Sequence, residues 1–182
     1  MPRLVLVRHG QAAASWDADL DPGLDDIGRA QAEAAADALD PLGPLPIVVS
    51  PLRRTLETAA PLAARWGVEP VVDERVAEIP SPTDDLAERG AWLAKAMAGT
   101  WSELGGRWSS WRDELVAGLL AIPGDAVVVT HFIAINAVVG CATGNDSVVC
   151  FAPGNASRTI LETGGGLLRV VELGDEARTV VR

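Results

Sequence analysis

Residues 4–11, LVLVRHGQ, place four apolar side chains in a row and then stop at Arg8, His9 and Gly10. A short apolar run that ends at polar residues reads as a buried strand. A buried strand has no use for a cation and an imidazole side by side, so their place at its end needs a reason. Two other apolar runs stop in the same way. Strand 47–49 ends at Ser50, with Arg53 and Arg54 in the first turn of the helix that follows. Strand 126–130 ends at Thr130 and His131. The chain has two histidines, and both stand just past such a run.

The segments between the strands are helical in pattern. An Ala-rich helix runs over about 26–39, capped by Asp25 or Asp26. Ser50 as N-cap and Pro51 in the first turn start a second helix that runs to about Trp66. Val71–Val72 is a third short strand. Two helical stretches, roughly 84–98 and 101–121, break near Gly99 and Gly105-Gly106. A helix over about 133–142 follows the fourth strand, and SRTILE and LLRVVEL flank TGGG as a hairpin. Strands alternating with helices predict an α/β fold: three layers, α/β/α, around a mainly parallel sheet, with an antiparallel C-terminal edge. Residues 1–182 read as one domain in which 80–124 is a helical, cap-like insert.

At 182 residues the chain can bury a real core, and 48% of it is apolar. The net charge of −10, with Lys95 the single lysine among fifteen basic residues, excludes a nucleic-acid footprint. No run is long enough to cross a bilayer, and no signal peptide is recognised, so a cytoplasmic protein with two free thiols is expected. The two histidines and two cysteines lack metal-ligand spacing, and neither metal nor cofactor is expected.

In open α/β sheets, ligands sit outside the carboxyl ends of the strands. Side chains early in a helix lean back toward its N-terminus, so Arg54 can reach a strand end. One such residue would be ordinary surface chemistry. Arg8, Arg54, His9 and His131 converging make an anion pocket inside an acidic protein, because buried cations without an anion are costly. Phosphate suits arginine forks.

These residues also resemble a family. LVLVRHGQ is similar to the RHG motif of the histidine phosphatase superfamily, also called phosphoglycerate-mutase-like. SPLRRTLETA fits its S-x-L-x-R-x-x-x-T element, which puts the second family arginine at Arg54. LDDIGRAQA looks like its L-x-x-x-G-x-x-Q-A helix, and VVVTHFIAI stands where a second catalytic histidine is expected. The resemblance implies a phosphomonoester hydrolase working through a phosphohistidine on His9, with Arg8, Arg54 and His131 on the phosphoryl oxygens and Gly10 letting the backbone pass close. It implies a carboxylate proton donor after the third strand; Glu78 fits that context better than Glu74. Gln11 or Ser15 stands near the position of a family asparagine, and Asn155 resembles an element that would support the His131 loop. Phe132 stands where many members have glycine, and PSPTDD replaces the usual G-x-W-E-G.

The implied substrate is a small phosphorylated metabolite or a phosphoprotein. The enzymatic alternative is a mutase-type phosphotransferase, disfavoured because a long insert is missing. The alternative of another class is a protein that binds a phosphate ligand without catalysis. Trp92, Trp101, Trp108 and Trp111 fall in the insert. On a continuous helix the last three would share a face, and that face is expected to be mainly packing, with part of it as a pocket wall.

Overall fold

The computed structural model describes residues 1–177. Six strands form one sheet: β1 (Arg3–Arg8), β2 (Ile47–Val49), β3 (Val71–Val72), β4 (Ala126–Thr130), β5 (Arg158–Gly164) and β6 (Leu167–Glu172). Their order across the sheet is β3-β2-β4-β1-β5-β6. The first four in that order pair in parallel, and β5 and β6 are antiparallel. The α/β class, the parallel body and the antiparallel C-terminal edge all match the sequence reading.

The period-2 alternation of the strands divides the core in two. Val5, Val7, Ile47, Val49, Val127 and Val129 face one side. There they pack on Ala36 and Leu39 of α1 (Asp26–Leu39) and on Ala59 and Leu62 of α2 (Arg53–Trp66). Leu4, Leu6, Val48, Ala126 and Val128 face the other side. They pack on α3 (Leu86–Met97), on the one-turn α4 (Trp101–Leu104), on α5 (Gly106–Leu120) and on the almost wholly buried α6 (Phe132–Thr143). Helices on both faces leave only the strand ends open to a ligand. β6 follows β5 through Gly165 and Gly166, whose φ values of +60° and +76° are the left-handed geometry of a two-residue hairpin loop.

Two details differ from the sequence reading. Ser50 does not cap α2: the helix begins at Arg53 after an extended Leu52, without a side-chain cap. Ser50 is fully buried and faces His131, and that contact displaces the cap. The stretch 101–121 breaks at Gly105-Gly106, as the sequence suggests: Gly105 at φ +86° ends α4 before α5 begins. Trp101 therefore shares no helical face with Trp108 and Trp111, which stay three residues apart on α5. Trp101 is fully buried and stacks on Trp111 at 5.9 Å, while Trp92 lies 5.3 Å from Trp108. These tryptophans pair with one another and pack on the core.

α1 is brought hard against the loop that follows β1. A Cβ on Gly28 would stand 2.1 Å from the Gln11 carbonyl oxygen, and one on Gly10 would stand 2.6 Å from the Gly28 carbonyl oxygen. Two backbones cross here, and only glycines permit it. Gln31, one turn on, accepts the Gln11 amide at 2.8 Å. Gly28→Ala is therefore expected to cost about 3 kcal/mol, the upper part of the usual overpacking range. For a chain of this size that lowers Tm by roughly 6–12 °C. A variant melting within about two degrees of wild type would mean that the crossing yields.

Candidate active site

The parallel order β2-β4-β1 sets three strand ends side by side. Register pairs Arg8 with Thr130, and Val49 with Val129, so His9 and His131 stand level and Ser50 sits one residue back, beside Thr130. The rings of His9 and His131 lie 5.3 Å apart, edge to face. Both are buried.

His9 Nδ1 lies 2.7 Å from the Gly10 carbonyl oxygen, which can only accept, so Nδ1 carries the proton. Nε2 is then left with its lone pair, and Arg54 Nε donates to it at 3.2 Å. Burial, then the charges of Arg54 and Arg8, hold the His9 imidazole well below its ordinary range. His9 Nε2 is thus neutral, fixed and turned toward Arg54.

His131 is arranged by Ser50. The Ser50 hydroxyl oxygen accepts the Leu52 amide at 3.3 Å and lies 2.7 Å from His131 Nε2. The two share one hydrogen bond, donated by the Ser50 hydroxyl or by Nε2 according to the His131 tautomer. Nδ1 is buried and has no hydrogen-bond partner. Burial, Arg54, His9 and Arg8, in that order, keep this ring neutral too. Arg8 has a similar orphan. It donates from Nη1 to the Pro153 carbonyl at 2.8 Å, and its guanidinium lies 5.0 Å over the Phe132 ring, but its buried Nε is unpartnered. Burial chiefly, and Arg54 after it, pull Arg8 down to about 10. Phe132, where many members of the family have glycine, thus serves as the apolar seat of Arg8. Two buried polar nitrogens without partners beside a neutral imidazole are unusual, since buried polar groups are almost always paired. An anion would give Arg8 Nε an acceptor, and His131 Nδ1 one as well when that nitrogen holds the proton.

Glu78 arrives through a different element. Thr130 Oγ1 donates to the Val76 carbonyl at 2.6 Å, which holds the 74–79 segment along β4. The Glu78 carboxylate then accepts the Ile79, Ile133 and Ala134 amides at 3.0, 3.1 and 3.1 Å. Ile133 and Ala134 belong to the first turn of α6, so Glu78 caps the helix that follows His131, where negative charge is favoured. Burial nevertheless raises its pKa, against the amide bonds and Arg54, which favour the ionised form. Glu74 is exposed on a 3-10 turn.

The structure brings together Arg8, His9, Arg54, His131 and Glu78. It turns the other named residues elsewhere. The Gly10 amide donates to Thr58 Oγ1 at 3.0 Å and so is occupied. The Gln11 side chain donates to Asp25, and the Ser15 hydroxyl to Asp17. Asn155 does not serve the His131 loop: its side-chain amide donates to the His9 carbonyl at 3.1 Å. Ala156, at φ +57°, adds its own amide to the Arg8 and His9 carbonyls. The Asn155 loop thus clamps the backbone that carries Arg8 and His9.

Ser50 and Trp16 were missed as site residues. Ser50 had a signal, since it ends β2 as Arg8 and Thr130 end theirs. Trp16 had none, because its partners, Arg54 and Arg89, are distant in the chain. Among the described residues, no group of three or more His, Cys, Asp or Glu side chains is placed to hold a metal ion. No helix among them is long and apolar enough to cross a membrane.

Comparison with known proteins agrees with this geometry. Residues 4–176 match the family model of the histidine phosphatase superfamily, branch 1. A glucosyl-3-phosphoglycerate phosphatase of Mycolicibacterium vanbaalenii is 40% identical over 116 residues, covering 57% of this chain and 52% of the relative. The chain spans about half the length of the curated relatives it matches. A mycobacterial glucosyl-3-phosphoglycerate phosphatase solved as a complex with VO3 superposes with a TM-score of 0.73 at 28% identity, covering 97% of this chain and 100% of its own. A phosphoserine phosphatase of Entamoeba histolytica in complex with 3-phosphoglyceric acid shares the fold, with a TM-score of 0.76 at 22% identity over 96% of this chain and 98% of its own.

Proposed function

The chain belongs to the histidine phosphatase superfamily, and from that membership and the row of strand ends we propose that it hydrolyses the phosphomonoester of a small phosphorylated metabolite through a phosphohistidine at His9. The observation that carries the reading is the pair of buried, unpartnered nitrogens, Arg8 Nε and His131 Nδ1, beside the neutral His9. A phosphoryl group gives Arg8 Nε an acceptor, and gives one to His131 in the tautomer that holds its proton on Nδ1. Arg54, now donating to His9 Nε2, moves to the phosphoryl oxygens and releases that lone pair.

His9 Nε2 attacks phosphorus as the bond to the ester oxygen breaks. The leaving alkoxide takes a proton from Glu78, which burial keeps protonated to higher pH than an ordinary glutamate. Charge that builds on the phosphoryl oxygens is met by Arg8, Arg54 and the His131 N–H, donors fixed before the reaction starts. Glu78, now ionised, accepts a proton from water as that water attacks the phosphohistidine and frees inorganic phosphate and His9. The relatives' names support a metabolite as substrate, and the two free cysteines support a reducing, cytoplasmic location.

The test is phosphate release from a panel of small phosphoesters and a phosphohistidine peptide. Hydrolysis of at least one ester is expected to continue undiminished after exhaustive chelation, because arginine and histidine supply the positive charge. Chelation that stopped turnover, with rescue by one divalent ion, would overturn the metal-free mechanism. Tight phosphate binding with no ester cleaved would return the chain to a binding role.

A further inference from the structure

The mechanism leaves one buried polar side chain without a use. Nine residues of α6, Phe132–Gly140, are buried, and Asn136 alone among them carries a polar side chain. It is fully buried. A buried amide is costly unless its hydrogen bonds are made, and here they are made. Asn136 Nδ2 donates to the Phe132 carbonyl at 3.0 Å, and Oδ1 accepts the Cys150 and Phe151 amides at 2.8 and 3.0 Å. The first bond lies within the helix. The other two reach the loop that leads into β5.

That loop is tied residue by residue. The Ala152 amide donates to Glu176 Oε1 at 3.1 Å, and the Gly154 amide to the Asp175 carbonyl at 2.8 Å. The Ala177 amide donates in return to the Ala152 carbonyl at 2.7 Å. Residues 150–154 are thus held by two elements, α6 and the segment 175–177. The Pro153 carbonyl, between those anchors, accepts Arg8 Nη1 at 2.8 Å. The other support of Arg8 is the face of the Phe132 ring, at 5.0 Å. Both supports of the guanidinium therefore connect to Asn136, one along its helix and one through the loop. A guanidinium meets an oxyanion through a planar fork of N–H groups, so whatever aims the fork sets the strength of the contact.

We propose that Asn136 and Glu176 are positioning residues for phosphate binding: by gripping loop 150–154 from two elements, they set the Pro153 carbonyl and, through it, the edge that Arg8 turns to the phosphoryl group. The proposal rests on the phosphatase reading and adds to it a framework that lies outside the pocket.

The experiment measures the dissociation constant of inorganic phosphate by calorimetry, KM for an aryl phosphate, and Tm. Asn136→Thr keeps a hydroxyl that can bond back to the Phe132 carbonyl, as Thr143 bonds to Val139 at 2.8 Å, but it gives up the loop amides. Asn136→Asp keeps the oxygen that accepts both amides and gives up the bond to Phe132. The Thr variant should bind phosphate roughly tenfold more weakly, the low end for a charge-assisted hydrogen bond put out of line, with KM rising alongside. The Asp variant should stay within about threefold, since a carboxylate that accepts two amides is stabilised in its ionised form. Glu176→Ala, at an exposed position, should weaken phosphate by about threefold, and it decides the matter if Asn136→Thr does not fold. In an Arg8→Lys background, Asn136→Thr should change phosphate binding by less than about twofold, because its effect passes through the guanidinium. A residue that merely packs α6 gives the reverse order: the buried charge makes Asp the worse variant, and Thr lowers Tm without moving the phosphate constant. Either result overturns the proposal, as does a full tenfold effect that persists in the Arg8→Lys background, or unchanged phosphate binding in Glu176→Ala. Wild type that binds phosphate and cleaves no ester overturns the phosphatase reading alone, because the calorimetric comparison needs no turnover.

Discussion

His9→Ala removes turnover while leaving the fold in place: on the order of 10⁴-fold or more in kcat, the scale seen when a covalent nucleophile is deleted. The loss is chemical, because the His9 ring bonds only to the Gly10 carbonyl and to Arg54, and neither bond holds an element of the sheet. The backbone there is clamped independently by Asn155, Ala156 and Thr130. Rapid quench with labelled substrate should trap an acid-labile, alkali-stable label on wild type and none on the variant, with unchanged circular dichroism. The pH profile carries a second signature. His9 is held well below its usual range, so it stays unprotonated and nucleophilic as pH falls through 6.5, and kcat should show no acid limb there from this group. Full activity in His9→Ala, or equal labelling of both proteins, would end the phosphohistidine mechanism.

The residues that gather at the strand ends were legible because each ends an apolar run that has no other use for it. β1, β2 and β4 are too apolar to be anything but buried, and the positions just past them, His9, Ser50 and His131, are fixed by chain continuity. Pairing order did the rest: once β4 lies between β1 and β2, the two histidines must meet. Residues whose partners lie far off in sequence were not legible. Glu78 is named only through the family resemblance: it reaches amides of α6 fifty-five and fifty-six residues on, and no local pattern tells a helix cap of that kind from a surface acid. Asn155 sits in a turn, and whether that turn serves His9 or His131 depends on β5 lying beside β1 rather than β4. The tryptophan pattern failed for a local reason: Gly105 adopts a left-handed φ and breaks the helix whose face the spacing assumed. Trp16 and Arg89 acquire meaning only when α3 folds over the loop after β1.

Glu78→Gln separates proton donation from phosphate binding. Glutamine keeps one oxygen for the α6 amides and cannot supply an acidic proton. Alkyl phosphates, whose alkoxide must be protonated as it leaves, should lose roughly 10²–10³-fold in kcat, within the usual range for a positioned general acid. An activated aryl phosphate, a good leaving group unaided, should lose less than about tenfold. The pH dependence follows the same carboxyl. Burial raises its pKa, and the acid works only while protonated, so wild-type turnover of alkyl esters falls as pH rises through that raised value. In the variant this alkaline limb should disappear. Because Glu78 also caps α6, the change could move His131, and competitive inhibition by inorganic phosphate reports on that separately. An unchanged inhibition constant with a selective loss on alkyl esters assigns the proton to Glu78. Equal loss on both ester classes with weakened phosphate binding makes Glu78 a strut for the helix behind His131. Glu74→Gln, at an exposed position, should stay within about twofold of wild type on either class, the usual outcome for a surface change away from the site. A selective loss in that variant alone would move the proton donor to Glu74. The two carboxyls differ in burial and not in kind, so the leaving-group dependence measures what burial does to one of them.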